Sequence, residues 1–538
     1  MSRTACLSTL LATLLFIVPG AVLAGDASSD EDRGESNTGE AAGVEAEGVA
    51  PLEPPEKSRQ LKQALKQLKK KEWALGSLSL YKVLEDPEQA WYHADVRFYL
   101  AYALEQMAMN YSALEEYNRF LMEVKPENKL IPEALKRSIA LGRQMDAGWI
   151  LAPGLARLDT SKLTAGEQGP AMFWVGQHWY NQGNWMLARA YLSLVTKGTQ
   201  YYPEARMLEG ISHIQEQDSV AAIAPLASAL AAADSASAGS NVWEVTNLNL
   251  GRAYYALGNF ERAIEHFEAT PRNSPLWFEA LYEASWSYFR LGRLSGALSH
   301  LQTVDSPFYD GVYHPDATLL RILIFYYLCK YIDGQEMLKD FTAEHKDIAK
   351  GLKTAVAKAE QDPTKLFDSL YAWKSAKKDA GLVLPEAVKQ YFDTDESLTR
   401  IGNYLAGIDT EMAAIDRSRT GWERSALRKD LGQALEARKQ VAKQGKGVEV
   451  LARLRSMLSV LQGHLGNAEI YKVEMLSKEK DIYDAAYRGA LMEKVAKRGL
   501  DPSVPEGYRF WPFEGEYWLD ELGWYEVNTI NECLVIKR

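Results

Sequence analysis

The chain has 538 residues, of which 47% are hydrophobic and 11% are aromatic, and its formal net charge is -11. This composition is enough for a large folded core, and an acidic balance with no clustered basic stripe argues against nucleic acid, whose phosphates require neutralising Lys and Arg side chains. The same balance argues against adhesion to anionic lipid.

The amino terminus has the features of a signal peptide. Arg3 precedes a short apolar run from Leu7 to Val18, and Pro19 and Gly20 end that run before Val22-Leu23-Ala24, after which a signal peptidase is expected to cut. The run is shorter than the ~20 residues that a membrane-spanning helix needs. We therefore expect a signal peptide over 1–24 and no transmembrane anchor in the mature chain. The expected location is the periplasm of a Gram-negative cell, with secretion as the second choice.

Residues 25–56 follow with a different composition, rich in Asp, Glu, Gly, Ser and Ala and without aromatic residues. Such a segment buries too little apolar surface to offset its chain entropy. We interpret it as a disordered acidic linker.

An internal repeat with a period of 34 residues dominates the next part of the chain. The same order of small and large residues recurs in register. The best-matched pairs are Gly251 and Ser285, Tyr254 and Tyr288, Gly258 and Gly292, Ala263 and Ala297, and Phe267 and Leu301.

This ladder resembles the tetratricopeptide repeat family over residues 57–358. The resemblance implies an all-α fold in which each unit is a pair of antiparallel helices, with small residues where the helices touch. Such pairs bury their other face only against the next pair, so they stack into a superhelix with an inner groove. A protein or peptide segment is the partner that this groove implies.

Two helical seams lie beyond the repeats and a connecting helical segment, 359–394. The first seam comprises Leu398, Ile401, Leu405, Ile408, Met412 and Ile415, and the second comprises Leu451, Leu454, Leu458, Leu461 and Leu465. Both have heptad spacing, and Gln444-Gly445-Lys446-Gly447 reads as a turn between them. We predict a coiled-coil-like antiparallel hairpin over 395–500, because two seams in one chain have a high effective concentration. The alternative is self-assembly of two chains through one seam.

Residues 501–538 form a C-terminal tail dense in aromatic and acidic residues, including Trp511, Trp518 and Trp524. We expect it to dock on the helices or on a partner, because so many rings are costly to leave in water. The tail resembles the closing segment of envelope-associated repeat proteins of myxobacteria and their relatives, several of them linked to gliding motility.

The sequence carries no recognisable catalytic machinery. No two of its eight histidines have the i, i+4 spacing of a helical metal site, and it has neither a glycine-rich phosphate loop nor a serine elbow. We therefore expect a protein that is not an enzyme, with no catalytic residues, no metal and no cofactor.

Two cysteines remain after removal of the leader, Cys329 and Cys533. An exported chain in an oxidising compartment can pair them, and closing so long a loop would stabilise the fold by roughly 5 kcal/mol in the chain-entropy model. A buried thiol at Cys329 with a loose one at Cys533 is an equal alternative.

The predicted groove residues are those on the first helix of each unit, counted from Gly176, Gly251 and Ser285. Aromatic rings with interspersed arginine suit a peptide-binding surface, because a rigid ring contributes contact area at little entropic cost. Packing of Trp286 and Phe289 within the core is the alternative for each single residue. The predicted partner-binding residues are Phe173, Tyr180, Arg252, Tyr255, Tyr282, Trp286, Phe289, Arg290 and Tyr326.

These features predict a non-catalytic protein-protein interaction scaffold of the cell envelope, within an envelope or motility complex. The second hypothesis is an accessory subunit of peptidoglycan- or glycan-processing machinery, with Trp511, Trp518 and Trp524 in contact with sugar rings.

Overall fold

Helices form nearly all of the regular structure in the computed structural model, which describes residues 56–158, 163–233, 242–309, 312–376, 381–393, 395–416, 422–488, 492–494 and 513–536. The predicted all-α fold is confirmed. The predicted signal peptide, and all but the last residue of the predicted linker, lie outside the described residues. None of the helices in the described ranges combines the length and apolar character that crossing a membrane requires.

The described chain divides into two compact units. Unit A contains residues 56–183 and 404–439, and unit B contains residues 184–403 and 440–536. The first helices of unit A are α1 Arg59–Lys69, α2 Trp73–Leu84, α3 His93–Gln106, α4 Asn110–Glu123, α5 Ile131–Gln144, the single turn α6 Ala152–Leu155 and α7 Ala165–Asn181.

Unit B continues the series of helices. They are α8 Trp185–Leu192, α9 Tyr202–Gln215, α10 Ser219–Ala232, α11 Val242–Ala256, α12 Phe260–Glu268, α13 Trp277–Arg290, α14 Leu294–Val304, α15 Pro315–Tyr327, α16 Tyr331–Ala359, α17 Pro363–Ala376 and α18 Glu386–Asp393. Two further helices contribute residues to both units, α19 Glu396–Asp416 and α20 Ala426–Tyr487.

A left-handed residue separates the two helices of each repeated pair. In unit B the next residue's N–H donates to a carbonyl five residues earlier, as Asn259 N does to Tyr254 O at 2.9 Å and Arg293 N to Tyr288 O at 2.9 Å. This is the bond that closes a Schellman turn. The left-handed positions are Lys71, Ala108, Asp146, Gly183, Gln217, Gly258, Gly292 and Cys329.

Close helix contacts explain the small residues of the repeat. A Cβ atom on Gly251 of α11 would overlap the ring of Phe267 on α12, and one on Gly210 of α9 would overlap Leu226 on α10. In both pairs the large residue lies 16 positions after the glycine. The small-large pattern of the sequence therefore records the contact between the two helices of one unit.

Helices α19 and α20 form an antiparallel hairpin, as predicted, but its turn is elsewhere. Near the start of α19, Ser397 Oγ accepts a hydrogen bond from Lys446 Nζ of α20 at 2.9 Å. At the end of α19, Asp416 pairs with Arg428 at 2.9 Å, and Arg428 comes before Lys446 in α20. The two helices therefore run in opposite directions. The prediction of a turn at 444–447 is wrong, because these residues lie inside α20. A Cβ atom on Gly447 would overlap the carbonyl oxygen of Pro363, so this glycine serves close packing against the start of α17.

The C-terminal tail docks on the second helix of a repeat in unit B. Gly523 N donates to Thr303 Oγ1 and Val527 N to Ser299 Oγ, each at 2.9 Å, so the tail follows α14. Near the end of the tail, Leu534–Ile536 (β2) pairs in antiparallel fashion with Met492–Lys494 (β1), which precedes the tail.

A disulfide bond joins the end of the tail to the last repeat. It links Cys329 to Cys533, whose Cα atoms are 4.9 Å apart. The bond therefore ties the tail to the turn between α15 and α16.

Candidate protein-binding site

The first helices of the repeats in unit B lie side by side. Helix α11 contacts both α9 and α13, and α13 contacts α15. Seven of the nine predicted partner-binding residues lie on three of these helices: Arg252, Tyr255, Tyr282, Trp286, Phe289, Arg290 and Tyr326.

An ion-pair cluster links α11 to α13 on this face. The Arg252 guanidinium donates to the Glu283 carboxylate at 2.8 and 3.0 Å and to Glu279 at 3.0 Å. Burial raises the pKa of Glu283 to about 7, and this effect exceeds the opposing attraction of Arg252. Arg252 is therefore committed to carboxylates of the chain itself.

An aromatic row follows the same face of α13. Trp286 Nε1 donates to the Tyr282 hydroxyl at 2.8 Å, and the Trp286 ring meets Phe289 edge-on with their centroids 5.8 Å apart. Phe289 in turn meets Tyr327 at 5.5 Å. Since Tyr282, Trp286 and Phe289 are only partly buried, the row combines packing with exposed ring surface.

The remaining predicted arginine stacks on neighbouring rings. The Arg290 guanidinium lies 4.8 Å from the ring centroid of Phe260 and 5.8 Å from that of Tyr255, which is buried. These are cation-π distances. Arg290 itself is exposed.

Helix α20 covers the part of this face that α15 provides. Its residues Ala468 and Met475 are buried in one apolar cluster with Leu319 and Ile322 of α15, and Tyr326 packs against that cluster. The surface predicted to be an open groove is therefore occupied along α15 by the chain's own helix.

A cavity of about 160 Å³ remains between the first helices and α20. It is lined on one side by Arg252, Tyr282, Glu283 and Trp286, and on the other by Met457 and Leu461 of α20. We call this space the unit B cavity. With Tyr255, which also lines it, the cavity brings together four of the residues predicted from the sequence, the others being Arg252, Tyr282 and Trp286.

Two predicted residues belong to unit A instead. Phe173 and Tyr180 lie on α7, where Phe173 is buried. Burial raises the pKa of Tyr180 to about 12. Neither residue lines the unit B cavity.

Sequence reasoning missed the acidic residues of the site, Glu279, Glu283 and Asp316. A signal for two of them was present, because Glu279, Tyr282, Glu283 and Trp286 have the i, i+3, i+4, i+7 spacing of one helix face. Asp316 had no comparable signal. It faces the cavity because α15 begins beside α20, where Asp316 pairs with His464.

Groups of three or more His, Cys, Asp or Glu side chains able to hold a metal ion are absent from the described ranges. His266 and His300, which share a repeat position, pack on equivalent tyrosines. His266 stacks on Tyr254 at 5.4 Å and His300 lies 5.0 Å from Tyr288. These contacts assign both histidines to the packing of their repeats.

The series of helix pairs defines this chain as an all-α helical-repeat protein. Residues 248–309 match the family model described as tetratricopeptide repeat. This repeat segment therefore belongs to the tetratricopeptide repeat family. Comparison with curated protein sequences gives no match.

Three solved structures are similar to this chain at low sequence identity. A tetratricopeptide repeat protein from Parabacteroides merdae is 13% identical, with a TM-score of 0.23 over 53% of this chain and 91% of that one. The apo form of RapI is 13% identical, with a TM-score of 0.30 over 64% and 98%. A Rap protein in complex with competence and sporulation factor is 12% identical, with a TM-score of 0.25 over 71% and 98%.

Proposed function

We propose that this chain is a non-catalytic protein-binding scaffold of the bacterial cell envelope. It holds a protein or peptide segment on the first-helix face of unit B, next to α20. The observation that carries the proposal is the unit B cavity, which places exposed aromatic surface beside buried charge. Side-by-side helices of repeat proteins build extended surfaces of this kind for partners.

Binding without turnover accords with the charges on this face. Arg252 is engaged by Glu283 and Glu279, and the His314 imidazole lies 3.6 Å from Glu279. Paired groups of this kind hold a surface in one shape. The described residues that line the cavity include no serine, threonine, cysteine or lysine side chain.

Export to the periplasm is part of the proposal. The disulfide between Cys329 and Cys533 supports it, because such bonds persist in oxidising compartments. The expected mature chain begins at Gly25, and mass spectrometry of the protein from fractionated cells tests this. An intact Met1 terminus in the cytosolic fraction would refute export.

Affinity capture from envelope extracts tests the binding face. The variant Trp286→Ala with Phe289→Ala removes two rings of the aromatic row and is expected to weaken capture at least tenfold. Because both rings also pack against neighbours, circular dichroism must first show that the variant is folded at the capture temperature.

The matched control for that variant is Met186→Ala with Val220→Ala. These side chains are 66% and 69% exposed, and they lie on the second helices α8 and α10. The control is expected to capture like the wild type. If a folded Trp286/Phe289 variant also captures like the wild type, the partner binds elsewhere.

A glycan-contacting tail is the second candidate, as part of an accessory subunit of peptidoglycan- or glycan-processing machinery. Trp518 is 59% exposed and Trp524 is 49% exposed, although the tail between them and beyond docks on α14. Flat exposed rings suit stacking on sugars. Pull-down of the full-length chain with peptidoglycan, compared with Trp518→Ala, tests this function. Equal retention of both proteins would count against it.

A further inference from the structure

The unit B cavity has aromatic walls and the size of a single side chain. Tyr255, Tyr282 and Trp286 come from α11 and α13, and Tyr391 closes another side from α18. The volume of about 160 Å³ is well below the ~300–1,000 Å³ of sites for drug-sized ligands. Aromatic rings attract a cation that lies over their faces, through their ring quadrupoles.

Acidic side chains outnumber basic ones around this space. Glu279, Glu283 and Asp316 line it together with two basic groups, the Arg252 guanidinium and the His314 imidazole. Arg252 is already bound by two of those carboxylates. The excess of carboxylates would repel an anionic group of a partner and attract a cationic one.

The carboxylates are graded from rim to floor. The side chain of Glu279 is 33% exposed and that of Asp316, which also pairs with His464, is 23% exposed, whereas the Glu283 side chain is 7% exposed. An entering group therefore meets acidic side chains that solvent can reach before it meets the buried pair.

The cavity also contains a polar atom without a partner. The Tyr313 hydroxyl is buried and forms no hydrogen bond with any described residue. An ammonium group carries three donors and a guanidinium five, and neither carries an acceptor. Such a group satisfies a hydroxyl lone pair and carboxylate oxygens at the same time.

We propose that the unit B cavity receives the cationic end of a basic side chain, lysine or arginine, from the protein partner. This inference rests on the proposed function and adds the chemistry by which the partner is recognised. The aromatic rings contact the aliphatic stem, and Glu279 and Asp316 contact the charged head.

Titration of the full chain with small probes tests the proposal. The probes are N-acetyl-lysine methylamide, N-acetyl-arginine methylamide and the uncharged N-acetyl-norleucine methylamide, whose stem resembles that of lysine. Ligand-observed NMR is expected to show millimolar binding of at least one cationic probe and at least tenfold weaker binding of the norleucine probe. Comparison of the two cationic probes distinguishes lysine from arginine.

The variant Glu279→Gln removes a rim charge while preserving the size of the side chain. It is expected to weaken binding of the cationic probe about tenfold, the scale of one hydrogen bond to a charged group. The matched control is Glu261→Gln, an exposed glutamate that lies 3.6 Å from Arg293. The control is expected to bind the probe like the wild type.

Equal binding of the norleucine probe, or no binding of either cationic probe at tens of millimolar, would overturn the proposal. An unchanged affinity in Glu279→Gln would overturn it as well. These results are separable from failure of the scaffold function, because partner capture that depends on Trp286 and Phe289 can persist without a site for a cation.

Discussion

Gly251 shows how one residue sets the distance between two helices. Its Cα faces the ring of Phe267, and any side chain at this position would occupy the space of that ring. Glycine in a helix interior costs roughly 1 kcal/mol relative to alanine. The close contact with a fully buried Phe267 offsets this cost.

Replacing Gly251 with alanine is therefore expected to destabilise the protein despite the gain in helix propensity. Overpacking against the Phe267 ring costs about 1–3 kcal/mol. Over most of this range the cost exceeds the gain in helix propensity, which is roughly 1 kcal/mol. Urea unfolding measures the change, and adding Phe267→Leu should restore part of the lost stability. A Gly251→Ala protein more stable than the wild type would contradict the close contact.

Cys329 occupies the left-handed position at which three other repeat turns have Gly183, Gly258 and Gly292. Its φ angle is 59°, a conformation that costs an ordinary L-residue roughly 1–2 kcal/mol. The disulfide to Cys533 requires a cysteine at this position in spite of the backbone strain.

In reduced protein, Cys329→Gly is expected to be more stable than Cys329→Ser by about 1 kcal/mol. Both variants lack the disulfide, so the difference in their unfolding free energies isolates the backbone term. Equal stability of the two variants would show that the turn carries no strain.

At the scale of elements, α11 and α13 are joined by the buried pair of Arg252 and Glu283. The groups that face this pair are Glu279 on α13 and, across the cavity, Asp316 and His314 at the start of α15. Burial dominates the pKa of Glu283, which rises to about 7 from an ordinary value of 4.5. The folded state thus binds more protons than the unfolded state between these two values.

The stability contribution of Glu283 is therefore fully present below pH 4.5 and is lost as the pH rises to about 7. Replacing Glu283 with glutamine should flatten the pH dependence of the unfolding free energy within this window. Urea unfolding at several pH values measures it, with Glu261→Gln as the control. Parallel profiles for Glu283→Gln and the wild type would contradict the raised pKa.

Helix α20 depends on a second close contact, between Gly447 and the start of α17. Gly447→Ala is expected to destabilise the protein, because the backbone carbonyl of Pro363 cannot move aside as a flexible side chain can. The cost should exceed that of Gly445→Ala, where no atom lies near the added methyl group. Thermal melts of the two variants compare them, and equal melting temperatures would refute the contact.

At the scale of the whole molecule, the disulfide closes a loop between residues separated by 204 positions. Cys533→Ser is expected to lower the unfolding free energy by about 2–5 kcal/mol, mostly because the unfolded chain without the bond has a higher conformational entropy. It should also speed proteolysis of the tail, which keeps its hydrogen bonds to Ser299 and Thr303. Reduced wild-type protein is the control and should match the variant. Labelling of two free thiols in denatured, unreduced protein would exclude the bond.

The repeat could be recognised from the sequence because its determinants are local. The glycine and the large residue that it contacts lie 16 positions apart, as in Gly251 and Phe267, so their pairing recurs with every unit. The spacing of Tyr282 and Trp286 likewise placed both on one helix face. Local periodicity was sufficient for the fold class and for part of the candidate site.

Only tertiary structure could decide what covers that face. The sequence around Gly447 predicts a turn, but this glycine packs against Pro363, a residue 84 positions away. Likewise, Asp316 becomes part of the cavity through α20, where His464 pairs with it from 148 positions away. Periodicity reports which side of a helix is apolar or small, whereas the identity of the surface that meets it depends on how distant helices pack.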